Sequence, residues 1–312
     1  MTEVQSYYGR PVLKEPTWTW EVPTYFFTGG VAGASSVLSL SAKLFGNEEL
    51  ARRALYIGAA ADVANPMLLI SDLGRPERFH HMLRVFKVTS PMNIGAWVLM
   101  VNGGASTAAA VLELLGILKP LKLLAELVSF LAGPPLATYT GVLVADTAIP
   151  VWHEARQELP WLFGASAAAS AGAAACVFCP PAQAAPARRL AVGGVVAEGL
   201  VMHAMQRRLG DAAEVYHQGA AGKLSWAAKG LASSGALLLA RRGRHSRRAA
   251  VLGGALVCAG ELCLRFAVHH AGKQSARDPK YVVKPQRERA DRDGTRATIH
   301  MHETPPAPPR AA

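Results

Sequence analysis

No GxxxxGK phosphate loop, HExxH zinc pair or GxSxG nucleophile elbow occurs in the chain, so the usual sequence marks of nucleotide hydrolysis, zinc proteolysis and serine hydrolysis are missing. Cysteine is scarce. Of the four, Cys176 and Cys179 close an apolar run before Pro180, and Cys258 and Cys263 lie in the last apolar run. A zinc or iron-sulfur centre needs about four thiolates or imidazoles converging from loops, so the four read as small apolar packing residues and no metal site is expected. Only His203 of the ten histidines falls inside an apolar run, which leaves no pair to hold a b-type haem. Any electron transfer must therefore run through a lipid-soluble carrier or a metal-bearing partner. The first 21 residues contain no apolar h-region, so no secretory signal peptide is expected and the first span serves as its own insertion signal. No internal repeat stands out.

Charge is also low, at 18% of residues against about 25% in soluble domains. Hydrophobic residues make up 51%, with a mean hydropathy of +0.17, and they come in long runs. The windows 22–45, 54–71, 91–118, 123–151, 161–179, 190–205, 224–240 and 249–268 approach or exceed the roughly 20 residues that cross a bilayer core, the sixth and seventh being short. Continuous rather than alternating apolar runs select helices over a barrel. The expected fold is all-α, a polytopic transmembrane bundle of about eight spans. Residues 1–21 form a polar aromatic segment, 22–270 the transmembrane domain and 271–312 a basic tail, disordered beyond about Arg289.

The formal net charge is +11, but Lys and Arg cap the apolar runs rather than striping a soluble face, so membrane topology explains them better than nucleic acid does. The Arg and Lys sums of the two sets of loops are close. The RRGRHSRR turn at Arg241–Arg248 leans its side toward the cytoplasm.

Several polar groups mark candidate sites. Between the second and third runs lies a loop crowded with Asp72, Arg75, Glu77, Arg78, His80, His81, Arg84 and Lys87. Tyr7, Tyr8, Trp18 and Trp20 suit the headgroup region, and Trp20 could instead wall a ligand pocket. Tyr25 sits one turn inside the first span, whose Gly29, Gly30 and Gly33 permit close helix approach. Asp62 is expected either to handle protons or to pair structurally. Glu113, Glu126, Asp146, Glu198, His203 and Glu261 lie within or near the ends of apolar runs, and Arg265, one turn beyond Glu261, could pair with it. Pro134 and Pro135 are expected to kink or break the fourth span, beside Tyr139.

The segments WTWEVPTYFFTGGVAGAS, ISDLGRPERF, SPMNIGAW, YTGVLVADTAIPVW, LPWLFGASAAASAG and RFAVHHAGKQSARDPKYVVKPQRER together resemble the NrfD/PsrC family of polysulfide reductase-type membrane subunits. The resemblance implies eight transmembrane helices in the inner or plasma membrane and a bound quinone, menaquinone or ubiquinone, with no haem or metal of the chain's own. It also implies an iron-sulfur ferredoxin-like partner that leads to a molybdopterin catalytic subunit, as of a polysulfide reductase or formate dehydrogenase, or to a cytochrome partner. The family's quinone site maps to Trp20, Tyr25, Asp72, Arg75 and Tyr139. In that mapping Tyr25 and Tyr139 hold the quinone oxygens, Asp72 relays protons, Arg75 orients Asp72 or meets the partner, and Trp20 lies on the ring. Some members have an Asn and a His in the first-span motif, where this chain has Val22 and Tyr25. Asp72 and Arg75 could instead form a salt bridge that fastens the loop. A secondary transporter with a broken fourth helix and a purely structural membrane anchor are the competing readings.

Overall fold

The computed structural model describes residues 13–283; the roles expected of Tyr7, Tyr8 and the tail beyond Arg289 fall outside them. The long helices are α1 (Glu21–Leu44), α2 (Glu48–Ser71), α3 (Pro91–Leu115), α4 (Lys119–Ala145), α6 (Leu159–Phe178), α7 (Ala185–Leu209), α8 (Gly219–Arg242) and α9 (Arg247–Arg277). A short α5 (Pro150–Glu154) follows α4, and 3₁₀ turns span Pro76–Leu83 and Gly210–His217. No strand occurs among the described residues.

Local signals set the ends. Asn47 caps α2 by accepting from the Leu50 amide at 3.2 Å, with Glu48 and Glu49 beside the positive end of the helix dipole. Ser90 and Ser246 cap α3 and α9 in the same way. α3 stops at Gly116, whose φ of 65° suits glycine.

Short connections make successive long helices antiparallel. The upper face of the bundle then holds the starts of α1, α3, α6 and α8 and the ends of α2, α4, α7 and α9. By length and composition α2, α3, α4, α6 and α9 can each cross a membrane. α1, α7 and α8 match them in length but are less apolar. α1 is rich in Gly and Ser, while Arg188, Arg189, Arg207 and Arg208 flank α7, and Lys223, Arg241 and Arg242 flank α8. Those flanking cations reach the headgroups, which is why α7 and α8 run past the apolar windows 190–205 and 224–240.

α1 is the hub, packed against α2, α4, α6 and α9. Its approach to α4 is the tightest. A methyl on Gly33 or on Gly133 would collide with the other's carbonyl oxygen, so the two backbones touch with no side chain between them.

Two expectations are corrected here. α4 runs without interruption through Pro134 and Pro135. The prolines leave acceptors without amide donors, but the contact with α1 holds the helix, and the Thr138 hydroxyl donates back to the Pro134 carbonyl at 2.9 Å. The chain breaks later, at Asp146 to Ile149, where the Thr147 hydroxyl takes the Val144 carbonyl at 2.8 Å before Pro150 starts α5. α9 continues through His269 and His270 to Arg277, so these histidines lie in a helix rather than a tail. His269 is buried.

α5 anchors the upper face. Trp152 is fully buried, donates its indole N–H to the Val268 carbonyl at 2.8 Å and stacks against Trp18 with ring centroids 5.8 Å apart. On the lower face Glu126 binds Lys43 at 2.5 Å and Lys122 at 3.5 Å, and Lys122 also reaches Glu113. These two acids are paired with lysines near the lower ends of their helices.

Candidate functional site

A cavity of about 1100 Å³ opens between α1, α2, α3 and α4 beneath the Pro76–Leu83 turn. Its walls are mostly apolar, with Tyr25, Asp72 and Tyr139 at the upper end and Asp62 and Thr107 farther down. Tyr25 of α1 and Tyr139 of α4 bring their hydroxyls into contact there. Tyr25 is fully buried. The Tyr139 ring lies against Gly95 of α3, where any Cβ would collide with it, so that glycine makes the room the tyrosine occupies.

Asp72, at the end of α2, also lines the cavity. Its carboxylate accepts from the Thr19 hydroxyl at 2.8 Å and more weakly from the Thr19 amide at 3.4 Å. It is therefore fastened to the N-terminal segment and not to Arg75, which is exposed. Of the five residues mapped from the sequence, the structure brings Tyr25, Asp72 and Tyr139 to one cavity. Trp20 and Arg75 do not line it. Trp20 is the N-cap of α1 and 61% exposed, whereas Trp18, two residues earlier on the extended approach, forms part of the wall. Arg75 stands in the turn outside.

Asp62, one-third of the way back along α2, is buried in the cavity wall. It accepts from Asn102 at 2.8 Å and from Ser106 at 2.5 Å, both on α3, with a long contact to Asn65 at 3.5 Å. Asn65 in turn accepts from Thr28 of α1 at 2.6 Å. The chain of polar groups thus ties three helices at a depth where lipid offers no hydrogen bonds.

A second buried group lies outside this cavity. Glu261 accepts from Ser166 at 2.6 Å, while its other carboxyl oxygen and one of the neighbouring buried Glu198 have no hydrogen-bond partner among the described residues. Arg265 does not form the expected ion pair with Glu261. It donates to the Phe163 carbonyl at 2.9 Å and lies over the Phe163 ring at 3.8 Å, because α6 offers a closer acceptor and an aromatic face. Arg265 abuts Gly30 of α1. A smaller cavity of about 680 Å³ on the upper face includes His203, Arg207, Glu214 and Lys280 in its lining. Among the described residues no three His, Cys, Asp or Glu side chains are grouped as metal ligands.

The N-terminal segment straps the upper face. Glu15 accepts from Arg277 at 2.8 and 2.9 Å and lies 3.9 Å from Lys273. The Arg277 hydrogen bonds hold the Glu15 carboxyl below its ordinary value of 4.5. A lowered native value means the tie is present above about 4.5 and is lost as pH falls through the lowered value. Tryptophan fluorescence, reporting Trp18, is expected to shift as pH falls below that value in the wild type. Glu15→Gln should flatten the shift, and an unchanged profile in the variant would show that another group holds the strap. The pair is partly exposed, so the effect on global stability is small.

The sequence missed Trp18, Thr19, Asn102 and Ser106 at the site. Asn102 carried a signal, as an amide in an apolar run; Thr19 carried none. In comparison with known proteins, the family model described as polysulfide reductase, of NrfD type, matches residues 4–278. A search of the curated proteins finds no match.

Proposed function

The chain belongs to the NrfD-type polysulfide reductase family, the membrane subunits of oxidoreductase complexes, and on that basis we propose that its main cavity binds a quinone or quinol. The chain is a multi-pass membrane protein. One observation carries the reading: two tyrosine hydroxyls meet at the upper end of a mostly apolar cavity. Such a donor set fits a flat, mostly apolar ring with two oxygens.

When bound, menaquinone or ubiquinone supplies two-electron, two-proton redox chemistry. Tyr25 and Tyr139 donate hydrogen bonds to a ring oxygen and fix its position. Gly95 keeps the Tyr139 ring in place, and Trp18 and Phe26 close the side wall against water. Asp72, at the rim and held by Thr19, takes or returns protons between the cavity and the upper aqueous face. Electrons pass to or from an iron-sulfur ferredoxin-like subunit docked on that face, and from there to a molybdopterin catalytic subunit.

Charge orients the assembly in the inner or plasma membrane. The lower face carries Arg189, Arg241, Arg242 and Arg248 among others, while Arg52 and Arg53 share Glu49 and lysines pair with Glu113 and Glu126. The Arg241–Arg248 turn leans this face toward the cytoplasm, which would set the cavity mouth on the opposite side. The unbroken α4 removes one support of the transporter reading, the discontinuous helix, and leaves the intramembrane acids as the other.

Quinone titration of the purified, folded subunit tests the proposal through quenching of its tryptophan fluorescence. Saturable binding of menaquinone or ubiquinone, weakened in Asp72→Asn only where proton uptake is measured, is the expected result. Absence of binding by either quinone, with the iron-sulfur partner present, would sink it.

A further inference from the structure

The cavity is longer than a ring needs. It follows α3 from Met92 near the upper end to Leu112 near the lower end. At 1.5 Å per residue this is about 30 Å, close to the full thickness of a bilayer core. On α4 it is lined by Leu143 and Tyr139 near the upper end and by Leu121 near the lower, and along α2 it runs from Asp72 back to Asp62. The groove exists because α3 leans on α4 and touches α2 only lightly, and because Gly103, Gly104, Thr107 and Ala108 present little bulk toward it. Met67, Met100 and Val111, at 66%, 41% and 47% exposed, form its lip toward lipid.

We infer that the α2–α3 groove is the track for a long isoprenoid tail, so that the chain selects long-tailed quinones over short ones by contacts far below the ring. This rests on the quinone reading of the upper end. The occupant follows from continuity: a single cavity joins the tyrosine pair to an apolar channel that crosses the membrane depth, which suits one amphiphile with a polar head and a long branched apolar chain. A phospholipid acyl chain would fill the channel but leave the tyrosine pair without a matching head. Asp62 does not oppose an apolar occupant, since Asn102 and Ser106 already take up its carboxylate.

Gly104 gives a clean test. Nothing lies within 4 Å of where its Cβ would stand, so Gly104→Phe adds bulk at a lining position without a clash at its Cβ. The full chain, in bilayer discs of fixed lipid composition, is titrated with a long-tailed quinone and with the same ring carrying a single isoprene unit. Gly104→Phe should weaken the long-tailed quinone by about tenfold and leave the short one within about twofold, since only the long tail loses apolar contact. Taking the ratio of variant to wild type for each quinone cancels their different partition into lipid. Leu131→Phe, on the lipid-facing side of α4 and outside the lining, should change neither. Unchanged binding of both quinones in Gly104→Phe, or equal loss of both, overturns the tail track while the ring site stands. Absence of binding of both by the wild type overturns the ring site and the track together.

Discussion

Gly133→Val is expected to lower the melting temperature of the purified chain by about 5 °C and to cut its yield sharply. At this position α4 meets α1 backbone to backbone: the added Cβ would strike the Gly33 carbonyl, with the Val37 side chain 3.2 Å away. A flexible side chain could turn aside, but a carbonyl within a helix cannot, so the helices must separate. Overpacking of this kind costs about 3 kcal/mol, which for a chain of this size corresponds to the stated shift. The damage spreads because α1 also packs on α2, α6 and α9. Gly104→Ala supplies the contrast. With open space at that Cβ, the gain in helix propensity should leave stability equal or slightly higher. A Gly133→Val protein that melts with the wild type would show that the two helices do not touch as described.

Tyr139→Phe should reduce quinone-linked electron transfer by about 10²-fold while the protein folds and melts normally. The ring remains to fill the space against Gly95, so packing is conserved. What is lost is one hydroxyl, and with it the partner of the Tyr25 hydroxyl. A hydrogen bond aimed at a reacting oxygen in a dry cavity accounts for about two orders of magnitude in rate, and a smaller part, about tenfold, should show in quinone affinity. Tyr25→Phe should have an effect of similar size, and the double variant should be little worse than either single one, because the two hydroxyls act as a pair. Full activity in Tyr139→Phe would move the ring elsewhere. Tyr56→Phe, in α2 and outside the cavity lining, serves as the control.

Much of the fold was legible because lipid leaves few choices. An apolar run of membrane length must be helical, and caps such as Ser90 and Ser246 mark where it starts. Tyr25, Asp72 and Tyr139 were legible as polar groups at the ends of such runs, in segments resembling a known family. The failures share a physical cause: the deciding neighbour was distant in sequence. Pro134 and Pro135 break an isolated helix, yet α1 holds this one together. The four-residue spacing of Glu261 and Arg265 suggested a pair, and Phe163 and Ser166 from α6 took both partners instead. Trp18 and Trp20 could not be told apart until the first helical residue was fixed at Glu21. The Asn102 and Ser106 hydrogen bonds to Asp62 span 40 and 44 residues, beyond any local pattern.

The central place of α1 sets a condition on how the chain is made. α1 is the first of the described helices to leave the ribosome, but part of its small-residue face is covered by α9, the last of them, through the contact of Arg265 with Gly30. The strap before α1 waits as well, since Glu15 finds Arg277 only when α9 is complete. During synthesis, then, the hub helix sits in the bilayer with part of its packing surface turned to lipid, and the bundle closes from its C-terminal end. A nascent chain stalled before α9 would leave the Gly30 side of α1 without the cover that α9 gives it.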